Sequence, residues 1–364
     1  MTPNNTPTGH PSDAATAGPP ATGTSGGVQR SAIDKLPVID VSPLLVPGDR
    51  GARERVGRQI RQACIDIGFF YISGHGFSES EMHETLMQAR RFFSLPLETK
   101  MQSTVTATSE KMGFLQVGGL NPAVNTAKRP DLKERLFLPR EPEAGDLPFA
   151  PAPWPSEEAL PGFGVFMKNQ IARKVLLARS LARGFALSLD LDEAWFDDYY
   201  LRPGVVNALN YYPPAEPSAQ GEPQWGFSPH TDYGSFTILL QDDHGGLQAQ
   251  NSDGQWIDVP HIPGTFIVNV GDLLERWTNN FYVSTLHRAI NLKPAARISN
   301  SFFVYPDPAS EIRCLDTCQS AENPSLFEPV NSGAYIESLF SQVFRTGSAA
   351  RSERTASRVG QNGY

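Results

Sequence analysis

The residues with the clearest chemical potential lie in the segment Gly226-Phe227-Ser228-Pro229-His230-Thr231-Asp232-Tyr233-Gly234-Ser235. It sets an imidazole and a carboxylate two positions apart, just ahead of the apolar run Phe236-Thr237-Ile238-Leu239-Leu240. In a strand, side chains alternate faces, so His230 and Asp232, two apart, point the same way and can grip one object together. His287, in Ser284-Thr285-Leu286-His287-Arg288, is the candidate third member. Two imidazoles and one carboxylate with open positions are the donor set of a non-haem Fe(II) centre that activates oxygen. Taken singly, each residue has a plainer reading, as a hydrogen-bonded structural histidine or as an aspartate in a turn. A serine-hydrolase reading of Ser228, His230 and Asp232 fails. Three neighbours along one strand cannot form a chain of nucleophile, base and orienting group.

These groups need a scaffold, and the chain announces one built of short elements. It carries 31 Pro and 31 Gly in 364 residues, as a turn-rich, sheet-rich protein does. Leu36 to Asp40 reads as a short strand. Residues 51–67 read as an amphipathic helix with Val56, Ile60, Ala63 and Ile67 at helical spacing. Phe69 to Ile72 is a second strand. Residues 79–94 read as a helix capped by Ser78, with Glu81 completing a capping box. No periodicity is visible over 103–128, and 162–189 reads as a long helix. After Arg202-Pro203-Gly204 the pattern changes to short apolar runs: Val205–Tyr212, Phe236–Gln241, Leu247–Gln250, Trp256–Val259, Thr265–Val270 and Ile298–Tyr305. Turn signals at Gly245-Gly246 and Asp253-Gly254 separate some of them.

Many short strands at near-regular spacing imply an α+β protein with a mainly β core, a jelly roll, and an N-terminal helical region packed on it. The expected organisation is a disordered tail over 1–31, a mostly helical region over 32–202, a jelly-roll core over 203–346 and a second disordered tail over 347–364.

Composition excludes several classes. The net charge is −8, without the basic excess of a nucleic-acid binder, so small molecules or proteins are the expected partners. No stretch approaches the roughly 18 apolar residues of a membrane span. The first residues lack the basic start and apolar run of a secretory signal. Cys64, Cys314 and Cys318 are too few and odd in number for a disulfide framework, which points to a reducing, cytoplasmic setting. Oligomeric state is not legible.

A set of short motifs in a fixed order adds a resemblance. Pro37-Val38-Ile39-Asp40 is followed by Gly68-Phe69-Phe70-Tyr71-Ile72 with Gly74-His75-Gly76, then Asn210-Tyr211-Tyr212-Pro213-Pro214 and His230-Thr231-Asp232. Gly246-Leu247-Gln248, Val268-Asn269-Val270-Gly271-Asp272, Ser284 to Arg288, and Arg297-Ile298-Ser299 complete the series. From Leu36 to Phe344 the chain resembles the Fe(II)- and 2-oxoglutarate-dependent oxygenases of the isopenicillin N synthase-like family, whose fold is the double-stranded β-helix.

That resemblance implies an enzyme that uses Fe(II), 2-oxoglutarate and O2 to oxidise a small metabolite by hydroxylation, desaturation or cyclisation, releasing succinate and CO2. His230, Asp232 and His287 would hold the iron. Arg297 and Ser299, two apart on an expected strand, would take the far carboxylate of 2-oxoglutarate, because a guanidinium fork matches a carboxylate. Tyr212 and Asn210 resemble the residues that add hydrogen bonds to the cosubstrate. Phe303, on the same face as Ser299, and Phe114 are expected to line the substrate space. Two alternatives share much of this pattern: an oxidase of the same scaffold that uses no 2-oxoglutarate, and a non-catalytic jelly roll that binds a metal or ligand. The substrate itself carries no transferable motif.

Overall fold

The computed structural model describes residues 30, 33–104, 113–116, 131–141, 154–214, 225–291 and 293–345. The two expected tails lie outside these residues, except for Arg30, whose Nη2 donates to the carbonyl of Asn280 at 3.0 Å.

The chain opens with β1 (Val38–Asp40), α1 (Ser42–Leu45), α2 (Arg50–Asp66) and β2 (Phe69–Ser73). Next come α3 (Glu79–Phe93), α4 (Leu97–Met101), β3 (Gly113–Leu115), β4 (Glu134–Pro139) and the long α5 (Phe163–Ser188). The second half runs through β5 (Gly204–Tyr212), β6 (Phe227–His230), β7 (Phe236–Gln241), β8 (Leu247–Gln250), β9 (Trp256–Asp258) and β10 (Phe266–Val270). It ends with α6 (Asp272–Trp277), β11 (His287–Ala289), β12 (Arg297–Tyr305), β13 (Glu311–Ile312), β14 (Val330–Asn331) and α7 (Ser332–Arg345).

Eight strands form one sheet in the order β1-β2-β10-β7-β12-β5-β4-β3, and four form a second in the order β6-β11-β8-β9. Phe69, Tyr71, Leu239 and Ile267 of the large sheet share a buried cluster with Leu247, Ala249 and Ile257 of the small one, so the two sheets pack face to face as a jelly roll. The N-terminal region does more than pack on this core, because it supplies β1 to β4 of the large sheet.

The two faces of the large sheet differ in chemistry. One face sends Phe70, Leu136, Leu209, Ile238, Leu240, Val268, Ile298 and Phe302 into the main core, together with Ile60, Phe92 and Phe185 from α2, α3 and α5. Burying each large apolar side chain there contributes about 1.5–3 kcal/mol. The alternate residues face the other way and include Arg135, Asn210, Tyr212, Thr237, Asn269, Arg297 and Ser299. A sheet whose inner face is this polar is shaped for a ligand rather than for packing alone.

The helices form where sequence periodicity and caps place them. Ser78 Oγ accepts from Glu81 N at 3.3 Å, and Glu81 Oε2 accepts from Ser78 N at 2.9 Å, which completes the capping box of α3. Glu81 also pairs with Arg173, which ties α3 to α5.

Candidate active site

His230 closes β6 and His287 opens β11, and the two are direct cross-strand partners. The alternation argument for His230 and Asp232 does not hold as stated. Only His230 is in the strand, and Asp232 lies in the bend between β6 and β7. What aims Asp232 is a set of hydrogen bonds. Its Oδ2 accepts from Thr237 Oγ1 at 2.6 Å and from Asn269 Nδ2 at 2.8 Å, while its backbone oxygen accepts from Asp272 N at 2.7 Å. This leaves Oδ1 facing the two imidazoles, 3.9 Å from His230 Nε2 and 3.7 Å from His287 Nε2.

Each imidazole is fixed in the same manner. Nδ1 of His230 is 2.8 Å from the carbonyl of Ser228, and Nδ1 of His287 is 3.0 Å from that of Thr285. A carbonyl can only accept, so Nδ1 carries the proton in both rings and Nε2 keeps its lone pair. Phe227 stacks on His230 with centroids 3.6 Å apart, and Phe69 meets His287 edge-on at 5.3 Å. Burial, helped by His287 and Lys133, holds the His230 pKa well below 6.5, so the ring is neutral, the form that binds a metal.

Three electron-pair donors therefore converge, all within 4.8 Å of one another and too far apart to hydrogen-bond to each other. Two imidazole nitrogens and one carboxylate oxygen, each held by a second hydrogen bond behind it, fit a divalent iron.

A second feature lies on the inner face of the large sheet. In the β5–β12 ladder Arg297 stands opposite Tyr212, and Ser299 stands opposite Asn210. Arg297 is 1% exposed. Its Nε donates to the carbonyl of Gly245 at 2.8 Å and its Nη2 to Gln241 Oε1 at 3.0 Å, whereas Nη1 is buried without a partner among the described residues. An orphaned guanidinium N–H is costly unless a ligand accepts from it, and a carboxylate is the matching acceptor. The neighbouring Gly246, at φ +85°, brings its Cα so close to the carbonyl of Ile290 that an added Cβ would lie 1.9 Å from that oxygen. Only glycine fits beside the carbonyl that Arg297 uses.

Comparison with known proteins gives the family. The family profile described as the 2OG-Fe(II) oxygenase superfamily matches residues 203–306, and that described as the N-terminal region of non-haem dioxygenases in morphine synthesis matches 36–157. A 2-oxoglutarate-Fe(II) type oxidoreductase, ppzC, of Metarhizium rileyi is 33% identical over 333 residues, covering 85% of this chain and 88% of its own. The chain belongs to the 2OG-Fe(II) oxygenase superfamily. A homoarginine-6-hydroxylase of Arabidopsis thaliana is 34% identical to this oxygenase over 298 residues, 77% of this chain and 80% of its own. The crystal structure of a full-length Neurospora crassa protein in complex with alpha-KG and thymine superposes with a TM-score of 0.75 at 30% identity, covering 84% of this chain and 96% of that one. The protein is thus an Fe(II)- and 2-oxoglutarate-dependent oxygenase of small metabolites.

The remaining expected site residues of the oxygenase divide. Asn210 is buried, with Nδ2 3.3 Å from Ser299 Oγ and Oδ1 accepting from Arg135 Nε at 2.8 Å. Tyr212 lies with its ring under the Arg297 guanidinium, 4.8 Å from centroid to carbon. Phe303 is half-buried beside Phe137, Tyr233, Tyr305 and Ile336, on the face that carries Arg297 and Ser299. Phe114 is corrected: it is fully buried in the main core against Phe92, on the helix side of the sheet. Leu115, one position on, packs with the Phe303 cluster instead.

Sequence reading missed Thr237, Asn269 and the buried group Asp131, Lys133 and Arg135. Asn269 had a signal, a lone amide inside the apolar run Phe266–Val270. Lys133 Nζ lies 3.1 Å from Asp131 Oδ2 and 2.7 Å above the Phe227 ring. Burial, then the charge of Arg135, lowers the Lys133 pKa well below 10.5, and Asp131 acts in the opposite sense.

Proposed function

We propose that His230, Asp232 and His287 hold the iron of this oxygenase, and that Arg297 and Ser299, with Tyr212 behind the guanidinium, receive the far carboxylate of 2-oxoglutarate. Iron loaded with 2-oxoglutarate and O2 supplies the oxidising power for a C–H bond of the substrate, with succinate and CO2 as coproducts. The chain's own residues do the rest. The Ser228 and Thr285 carbonyls keep both Nε2 lone pairs available. Thr237 and Asn269 keep Asp232 aimed. Asn210 steadies the Ser299 hydroxyl on the row beside Arg297.

The observation that carries this reading is the convergence of three donor atoms, each of whose residues spends its other polar atom on a fixed partner. The unpaired Arg297 Nη1 supports a dicarboxylate over an oxidase that uses no 2-oxoglutarate. Phe303 and its aromatic neighbours form the substrate wall, and the substrate is a small metabolite of the size range represented by homoarginine and thymine in the relatives. Three buried free thiols support a reducing, cytoplasmic setting. Among the described residues no helix is long and apolar enough to cross a membrane.

The test is anaerobic addition of Fe(II) and 2-oxoglutarate, which should give a visible charge-transfer band, together with 2-oxoglutarate-dependent succinate release in air. His287→Ala should lose both. A His287→Ala protein that keeps the band and the turnover would rule out the ligand assignment.

A further inference from the structure

Arg135 presents a guanidinium without a directly bonded carboxylate among the described residues, beside the candidate metal centre. In the β4–β5 ladder it stands opposite Asn210, which in turn stands opposite Ser299 on β12, so the three form one row across the inner face. Two positions along β4, Phe137 stands opposite Ala208 on the row toward Phe303. The Arg135 guanidinium lies over the rings of Phe137 and Phe227, at 4.9 and 4.8 Å, and Phe227 in turn stacks on His230. One aromatic ring therefore separates this cation from a metal-ligand candidate.

The hydrogen-bonding of Arg135 is incomplete. Its Nε donates to Asn210 Oδ1 at 2.8 Å, but its terminal nitrogens have no hydrogen bond or ion pair among the described residues, although the residue is only 9% exposed. The nearby carboxylates are engaged elsewhere. Asp131 meets Lys133 Nζ at 3.1 Å and accepts from Ser228 N at 3.0 Å. Asp232 is held by Thr237 and Asn269 and faces the histidines.

Charge balance sharpens the point. The two charges of ferrous iron and the one of Arg297 are matched by Asp232 and the two carboxylates of 2-oxoglutarate. Lys133 has Asp131. Arg135 feels Asp131 and Asp232 only at a distance and has no carboxylate in hydrogen-bond or ion-pair contact among the described residues, and an arginine cannot shed its proton to escape burial. A buried cation without a partner is strongly unfavourable unless a ligand completes it, and the geometry a guanidinium completes best is that of a carboxylate.

We propose that Arg135 is a second carboxylate-binding residue of this oxygenase, and that it anchors an anionic group of the substrate beside the metal centre. The inference rests on the site reading above and adds a substrate class, a small carboxylate. The same chemistry could be met by the carboxylate of 2-oxoglutarate nearest the metal, so the test separates the two sources.

Wild type, Arg135→Gln and Arg135→Lys would be loaded with Fe(II) without oxygen and titrated calorimetrically, first with 2-oxoglutarate. With 2-oxoglutarate saturating, they would then be titrated with matched probes: phenylacetate against phenylacetamide, and N-acetylglycine against its amide. Wild type should bind the acids over the amides. Arg135→Gln should lose roughly ten- to a hundredfold in acid affinity, the range for a charge-assisted pair, with 2-oxoglutarate affinity changed little. Arg135→Lys should recover part of the loss. If Arg135→Gln weakens 2-oxoglutarate instead and leaves the probes alone, the substrate assignment is overturned in favour of the cosubstrate. If wild type shows no preference for any acid up to the solubility limit, or if Arg135→Gln changes neither titration, Arg135 only buttresses Asn210 and the proposal fails. Calorimetry needs no visible band, so a failure of the ligand assignment would register separately, as loss of metal-dependent 2-oxoglutarate binding in wild type.

Discussion

Removing the two hydrogen bonds behind Asp232 should weaken iron binding without touching a metal ligand. Oδ2 accepts from Thr237 at 2.6 Å and from Asn269 at 2.8 Å, and both donors are buried, at 3% and 2% exposure. Water cannot replace them without rearrangement. A hydrogen bond to a charged group contributes about 1.5–3 kcal/mol. Not all of that is felt at the metal, because the apo protein also loses it. The part that orients Oδ1 corresponds to about 10- to 100-fold in metal affinity for partners of this kind. Thr237→Val keeps the shape and removes the donor, and Asn269→Leu does the same on β10.

Each single variant should therefore bind Fe(II) about ten- to a hundredfold more weakly in an anaerobic calorimetric titration, equivalent to about 1.4–2.7 kcal/mol. The double variant should fall short of the summed loss, because both donors act on one oxygen and the first removal already frees the carboxylate to turn. Urea unfolding of the metal-free proteins is the control for packing. Metal affinities within about twofold of wild type, alongside a lowered urea midpoint, would show that Thr237 and Asn269 only stabilise the sheet, and the account of how Asp232 is aimed would be wrong.

Three further outcomes follow from the same geometry. Arg297→Lys keeps a charge but cannot serve the Gly245 carbonyl, Gln241 and a carboxylate at once, so the KM for 2-oxoglutarate in succinate-release assays should rise about tenfold or more while kcat at saturation changes less. Phe303→Ala should raise the substrate KM several-fold, leave the 2-oxoglutarate KM unchanged and increase succinate formed without product, because the aromatic wall is opened. Lys174 is buried against Phe266 and Phe302, and burial lowers its pKa from 10.5 to about 7. Because its native pKa lies below the unfolded one, the unfolded chain binds more protons between these values, and the wild type should lose stability as pH falls from 10.5 toward 7. Lys174→Met should flatten that slope in urea titrations across the window; an unchanged slope would refute it.

The parts of the fold legible in the sequence are those whose local signals agree with their surroundings. The helix expected over 79–94 is α3 (Glu79–Phe93), with both halves of its capping box formed. The strand expected at Leu247–Gln250 is β8 with the same bounds. Two pocket strands escaped for physical reasons. β6, Phe227–His230, is four residues long and contains Pro229, which lowers any strand propensity and is tolerated because β6 is an edge strand of the small sheet. β4, Glu134–Pro139, begins with two charges that look solvated. One of them, Glu134, meets Lys100 at 2.7 Å, and the other, Arg135, points into the polar inner face.

The site shows the same division at finer scale. Arg297 and Ser299 were readable because they sit inside a long strand, where alternation alone decides which side chains share a face, and β12 obeys it for nine residues. His230 and Asp232 lie just where that rule stops, at a strand end and in a bend, so their shared direction depends on residues from elsewhere in the chain: the partner strand that carries His287, and the donors Thr237 and Asn269 on β7 and β10. No local pattern encodes such support. It is visible in sequence only as a polar residue where the surrounding run calls for an apolar one. Asn269 among Phe266, Ile267, Val268 and Val270 is one case, and Arg135 between Glu134 and Leu136 is another. Buried polar groups persist only where something accepts or donates to them. For Asn269 that something is Asp232. The terminal nitrogens of Arg135 have no hydrogen bond among the described residues, and the carboxylate of the proposed substrate would complete them.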